Sequence, residues 1–87
     1  MSKYALIVLY LKDFEQTLDD NHEVWITFPE YGGPFFLKST INGGNEFIAF
    51  ELLTENNTRL TVLQNYSQLN FALLSKLKAD AKIPARK

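Results

Sequence analysis

Few side chains in this 87-residue sequence have the chemistry that catalysis or metal binding requires. His22 is the single histidine and the chain has no cysteine, so a histidine-pair metal site, a His-based triad and thiolate chemistry all lack partners. Three carboxylates flank this histidine, those of Asp19, Asp20 and Glu23, but the segment lacks the glycine and the alternating oxygen spacing of a calcium loop. We therefore predict a solvated acidic bend here, with no metal and no cofactor.

Glu51 is a more distinctive carboxylate, because it interrupts the apolar run FIAFELL, residues 47–53. A short apolar run that follows a Gly-Gly turn is typical of a strand, and a catalytic acid or base could be placed in this way. One hypothesis is thus a small enzyme with Glu51 as its base. In the predicted register Lys38 lies diagonally across the ladder from Glu51, so we favour a structural cross-strand ion pair between them. No partner for acid–base catalysis is identifiable beside Glu51, and we predict that the protein is not an enzyme.

Two Gly-Gly pairs raise the question of a phosphate-binding loop. Gly32-Gly33 lies in FPEYGGPFF and Gly43-Gly44 lies in INGGNE. Neither pair is followed by Lys-Ser/Thr, and neither joins a strand to a helix N-terminus, where phosphate loops work. Both are interpreted as hairpin turns, one a six-residue connection over residues 29–34 and the other a two-residue turn at Gly43-Gly44.

These turns predict how the strands from Val24 onwards pair. The two-residue turn sets Leu37 opposite Phe50, and the six-residue connection sets Ile26 opposite Leu37, with the apolar side chains on one face. The segment TENNTR offers a choice of loop lengths, because a two-residue loop would mix apolar and polar faces. We prefer a three-residue loop, 55–57, with Asn57 in the left-handed conformation.

The two ends of the chain complete the predicted fold. YALIVLYL, residues 4–11, is apolar on both faces and rich in β-branched and aromatic residues, which favours a strand beside the second strand or against the fifth. Asn65 is a candidate cap for an amphipathic helix from about Tyr66 to about Ala79. The prediction is an α+β fold, an antiparallel meander of about five strands with one C-terminal helix packed on one face. Residues 1–80 form the single predicted domain, and residues 81–87 a flexible basic tail.

Composition places the chain among ordinary globular proteins, with 46% apolar and 22% charged residues. Residues 1–75 hold four basic and nine acidic side chains, whereas residues 76–87 hold five basic side chains and one acidic. The longest apolar run is too short to span a bilayer. We predict a cytoplasmic protein that does not associate with membranes.

The outer face of the predicted meander carries aromatic residues where a half-exposed sheet would carry polar ones. Trp25, Phe36 and Phe47 lie on this face, and Lys38 and Glu51 lie among them. An apolar second face requires a cover. The first strand, a second copy of the chain or a separate partner could each supply it.

The function that these observations favour is a small protein-binding module, such as an adaptor, an inhibitor or an immunity-type protein, with a homodimer as one form of it. Large aromatic side chains are typical interface anchors. At the tip of the 29–34 loop, Glu30 and Tyr31 offer a second, pre-ordered contact. The alternative is a nucleic-acid-binding accessory protein that uses the basic tail and the sheet aromatics, although the charge around those rings is acidic.

Overall fold

A computed structural model describes residues 2–79, which form one helix followed by five strands. The elements are α1 (Lys3–Gln16), β1 (His22–Phe28), β2 (Gly32–Asn42), β3 (Phe47–Leu53), β4 (Arg59–Asn65), a 3-10 turn (Tyr66–Gln68) and β5 (Ala72–Leu77). The strands form one antiparallel sheet in the order β4-β3-β2-β1-β5. The α+β class is confirmed, but the predicted C-terminal helix is wrong, because the helix comes first. The predicted tail, residues 81–87, lies outside the described residues.

The segment predicted as the first strand is the helix α1. The Ser2 side chain caps it by accepting a hydrogen bond from the Ala5 backbone N–H at 3.0 Å. Its apolar residues lie on two sides of the helix. Tyr4, Ile7 and Leu11 pack against the core, whereas other apolar side chains face outward. With 14 residues α1 is too short to cross a bilayer. No helix within residues 2–79 is long and apolar enough to do so.

The segment predicted as the C-terminal helix is a short turn followed by β5. Asn65 does act as a cap, because its side chain accepts from the Ser67 backbone N–H at 2.9 Å, but the turn it starts is only three residues long. Residues 72–77 then pair along β1, from Thr27 opposite Ala72 to His22 opposite Leu77. The strand β1 is buried over most of its length, so its backbone groups need hydrogen-bond partners on both sides. β5 supplies the second set of partners.

The β3–β4 hairpin confirms the three-residue loop. Asn57 has a φ of +64°, in the left-handed region, and the Thr54 N–H donates to the Thr58 carbonyl oxygen at 2.9 Å across the loop. The ladder pairs Leu52 with Leu60, the register that a three-residue loop requires. A single residue that tolerates positive φ is thus enough to set this register.

The other two hairpins differ from prediction. Leu37 pairs with Leu52 rather than Phe50. The β2–β3 connection is four residues long, 43–46, rather than two, and the register also shifts by one residue between Leu37 and Ser39. In the β1–β2 hairpin Ile26 pairs with Phe35 rather than Leu37, and the connection is residues 29–31. Gly33 lies within β2, at a position where a Cβ would stand only 3.0 Å from the Ile26 carbonyl oxygen. The glycine thus serves a close strand approach and not the turn itself.

The core lies on one face of the sheet, beneath α1 and the crossover that leads from β4 to β5. Its fully buried side chains are Ile26, Phe28, Ile48, Phe50 and Leu52. Phe71 belongs to the crossover, and its ring centroid lies 5.5 Å from that of Phe50. A single layer of apolar and aromatic contacts therefore joins the helix, the crossover and the sheet.

Candidate functional site

The sheet face opposite α1, which we call the open face, carries most of the predicted binding residues. Trp25 and Phe36 lie opposite each other at one end of it, and Glu51 lies opposite Ser39 in the middle. Phe47 lies at the other end. No element among residues 2–79 packs across this face as α1 packs across the core.

Trp25, one of the candidate interface anchors of the sequence analysis, is covered by its own neighbours. Only 9% of it is exposed, and the Phe36 ring meets it edge-on with centroids 6.0 Å apart. Its indole Nε1 donates to the Glu23 carboxylate at 3.0 Å. The Lys76 ammonium lies 4.2 Å from the centre of the indole ring and forms an ion pair of 3.0 Å with Glu55. Phe36, Lys76 and Glu55 therefore cover Trp25 at this end of the open face, and we call these three side chains the roof.

A shallow cavity of about 320 Å³ lies beside the roof. Trp25, Phe36 and Leu53 form its apolar lining, and Glu23 and Glu55 add two carboxylates. Both carboxylates already have partners, the indole N–H and Lys76 respectively. The cavity thus offers a small apolar surface whose two carboxylates already have hydrogen-bond partners.

The far end of the open face has no such roof. Phe47 is 42% exposed, Ile41 49% and Leu63 60%, and they surround the small, buried Ala49. Ala49 pairs with both Ile41 and Leu63, so these side chains occupy three neighbouring strands. We call Ile41, Phe47 and Leu63 the apolar patch.

Sequence reasoning identified only one member of the apolar patch, Phe47. Leu63 could have been found, since it follows Val62 in the strand and successive apolar side chains point to opposite faces. Ile41 could not, because the register shift at Lys38 moves it from the core side to the open face. A bulge of one residue leaves no clear trace in the sequence.

Glu51 has a hydrogen-bond partner, but not the one predicted. Its carboxylate accepts a hydrogen bond from the Ser39 hydroxyl at 2.7 Å, directly across the ladder. The predicted ion pair with Lys38 is wrong: Lys38 sits at the register shift, exposed, and forms no ion pair with a described residue. The half-buried position of Glu51 is accounted for by a structural hydrogen bond.

Glu30 and Tyr31 lie apart from the open face. Both are exposed on the 29–31 connection, and the Tyr31 ring meets Phe28 edge-on, with centroids 6.2 Å apart. Phe28 belongs to the core, so Tyr31 leans towards the side of the sheet that carries α1. The predicted binding residues therefore form two separate surfaces.

The acidic bend around His22 forms a local hydrogen-bonded turn. The His22 ring nitrogen Nδ1 lies 2.7 Å from the Asp19 carboxylate, which also accepts from the Asn21 backbone N–H at 2.8 Å. The bond with His22, and secondly that with Asn21, lower the pKa of Asp19. Within residues 2–79 no cluster of three or more histidine or carboxylate side chains is placed to hold a metal ion.

Removing the charge of Lys76 should expose Trp25 with little loss of stability. Lys76→Gln deletes a cation–π contact and an exposed ion pair, so the free energy of unfolding should fall by about 1 kcal/mol or less. The Trp25 fluorescence maximum should move to longer wavelength as water reaches the indole. Lys38→Gln, which removes an exposed lysine that forms no ion pair with a described residue, is the matched control. An identical emission spectrum in both variants would contradict the roof.

Comparisons of the chain with protein-family models, curated proteins and solved structures give no match. The functional interpretation therefore rests on the open face itself. One end of that face is closed by its own side chains, and the other end presents the apolar patch.

Proposed function

We propose that this protein is a small non-catalytic protein-binding module of the adaptor, inhibitor or immunity type, and that it binds through the open face. The observation that carries the proposal is the apolar patch, in which Ile41, Phe47 and Leu63 are each about half exposed on adjacent strands. Burying one such side chain is worth roughly 1–2 kcal/mol. Contiguous apolar surface of this kind is typical of an interface.

The surroundings of the patch suit a protein partner. Polar groups that can rim an interface lie beside it, including Thr61 and Asn65 on β4 and the paired Glu51 and Ser39. An apolar centre with a polar rim is the usual anatomy of protein interfaces. Glu51 serves in this arrangement as an oriented acceptor at the rim, with no catalytic role.

The 29–31 connection is proposed as a separate contact. Tyr31 and Glu30 are exposed there, but they face the side of the sheet that carries α1. A partner seated on the apolar patch therefore does not need them. Tyr31→Ser should leave binding through the open face unchanged.

Nucleic-acid binding through the sheet aromatics has weaker support. Base stacking needs an accessible ring, whereas Trp25 is covered by Phe36 and Lys76. Carboxylates share this end of the open face, which disfavours phosphate. The basic tail that the alternative requires lies outside the described residues.

The proposal is tested by changing the apolar patch and asking whether a partner is lost. Phe47→Lys places a charge within the patch, and Leu9→Lys introduces the same charge at a similarly exposed leucine on the outer side of α1. A partner captured by the parent protein would be purified and its affinity measured with all three proteins. Phe47→Lys should weaken binding at least about tenfold, or roughly 1.4 kcal/mol, and Leu9→Lys should not.

Two results would contradict the proposal. One is equal affinity of the parent and the Phe47→Lys variant for the purified partner. The other is a partner that proves to be nucleic acid, whose affinity falls steeply with salt as phosphate contacts require.

A further inference from the structure

The sheet has two edge strands, and they differ in how well they are protected. Among residues 2–79, β4 has β3 as its one neighbour, and β5 has β1. Edge strands expose unpaired backbone groups that can pair with another chain, and lysines near an edge oppose such pairing. Lys76 lies in β5 and Lys78 follows it. The one charged side chain of β4, Arg59, lies at the start of the strand, and residues 61–65, TVLQN, contain no charge.

The direction of the backbone groups along β4 follows from one hydrogen bond. The Tyr66 N–H donates to the Glu46 carbonyl oxygen at 2.8 Å, which continues the β3–β4 ladder beyond the strand end. Inward and outward directions alternate along an antiparallel strand. The backbone N–H and C=O groups of Thr61, Leu63 and Asn65 therefore point to the free edge.

Leu63 combines this free backbone with the most exposed side chain of the apolar patch, 60% accessible. Pairing of β4 with β4 of a second copy, antiparallel about a two-fold axis at Leu63, lets the two Leu63 residues exchange both backbone hydrogen bonds. Their side chains then meet on the same side of a continuous sheet, since Cα atoms of such a pair are about 5.5 Å apart. Thr61 lies opposite Asn65 of the other copy.

We propose that a second copy of this chain adds to β4 in this way and forms a two-fold symmetric dimer with one continuous sheet. The proposal rests on the proposed function and names a partner for it. Self-pairing through β4 brings no charged side chains together over residues 61–65, whereas self-pairing through β5 would bring the lysines of both copies to one interface. The dimer also joins the two apolar patches into one larger surface.

The pairing can be tested directly because the chain has no cysteine. Leu63→Cys places one thiol on each copy at a Cα separation that a disulfide spans. Mild oxidation should convert most of this variant into a cross-linked dimer. Ile41→Cys, an exposed position of the same patch on β2, should remain largely uncross-linked. Equal cross-linking of the two variants would overturn the proposal.

A second variant tests the hydrogen bonds. Thr61→Pro removes an outward N–H while the bonds from β4 to β3 remain, so the fold should persist by circular dichroism. Light scattering should give the parent protein a mass that rises with concentration to twice that of the chain, and should give Thr61→Pro the mass of one chain. A parent that stays at the mass of one chain at every concentration, or a Thr61→Pro variant that still dimerises, would overturn the proposal.

The experiments distinguish failure of the dimer from failure of the proposed function. If the parent is monomeric but loses a purified partner on Phe47→Lys, edge pairing is overturned and binding through the open face stands. If Leu63→Cys cross-links but Phe47→Lys binds every captured partner as the parent does, the dimer stands and the wider function fails.

Discussion

Replacing Phe50 with alanine is expected to lower the free energy of unfolding by about 3–5 kcal/mol, the range for deletion of a buried phenylalanine. Phe50 is fully buried in the centre of β3, where it pairs with Val62. Its ring centroid lies 5.3 Å from that of Phe28 and 5.5 Å from that of Phe71. The substitution thus removes contacts to the sheet and to the β4–β5 crossover at once. A cavity here cannot be filled by a shift of one neighbour alone.

Phe47→Ala is the matched control, because it deletes the same side chain from the same strand at an exposed position. Its cost should be about 1 kcal/mol or less, as for other surface substitutions. Urea denaturation of both variants gives the comparison. If Phe50→Ala shifts the midpoint no more than Phe47→Ala, the assignment of the two faces of β3 is wrong.

The sequence was sufficient to predict β3, β4 and the loop between them. In this hairpin, alternation of apolar side chains and one residue that tolerates positive φ, Asn57, agree on a single register. The other two hairpins contain a register shift, at Lys38 and between Ile26 and Phe28. Such shifts depend on sheet twist and on close backbone approach, which a side-chain pattern does not encode.

The exchange of helix and strand at the two ends of the chain has a different cause. A short run that is apolar throughout fits the periodicity of a helix and also that of a strand. Residues 4–11 were therefore compatible with a buried strand and with a helix. Residues 66–77 carry apolar side chains at helical spacing, yet Tyr66, Leu69 and Leu73 reach the core from a turn, a crossover and a strand. β1 needs a second hydrogen-bonded neighbour, and this need favours a strand over a helix at residues 72–77. It arises from tertiary structure and cannot be recognised in the sequence of the segment itself.

The candidate site was predictable in kind but not in detail. The aromatic second face was identified from alternation, and it is present as the open face. Which of its side chains are accessible depends on the roof, because Lys76 and Glu55 approach each other from β5 and from the β3–β4 loop. These two residues are 21 positions apart in the sequence. Their contact helps to cover Trp25, so the accessible part of the open face is the apolar patch.

The helical state of α1 predicts a marked contrast between two leucines that are two positions apart. Leu11 is the one buried residue of α1 and belongs to the core cluster, whereas Leu9 is 48% exposed. Leu11→Ala should therefore cost about 2–3 kcal/mol, at the lower end for a buried leucine because the site lies at the edge of the core. Leu9→Ala should change stability by about 0.5 kcal/mol or less, since leucine and alanine both favour helices.

This pair of substitutions distinguishes the helix from the strand that periodicity alone permits. In a strand, residues two apart point to the same face, so Leu9 and Leu11 would be buried together and the two variants would lose similar stability. In a helix they lie about 200° apart, on nearly opposite sides. Thermal or urea unfolding of the two variants, measured side by side with the parent, gives the ratio of the two losses. Equal losses would contradict the helix and place the segment back in the sheet.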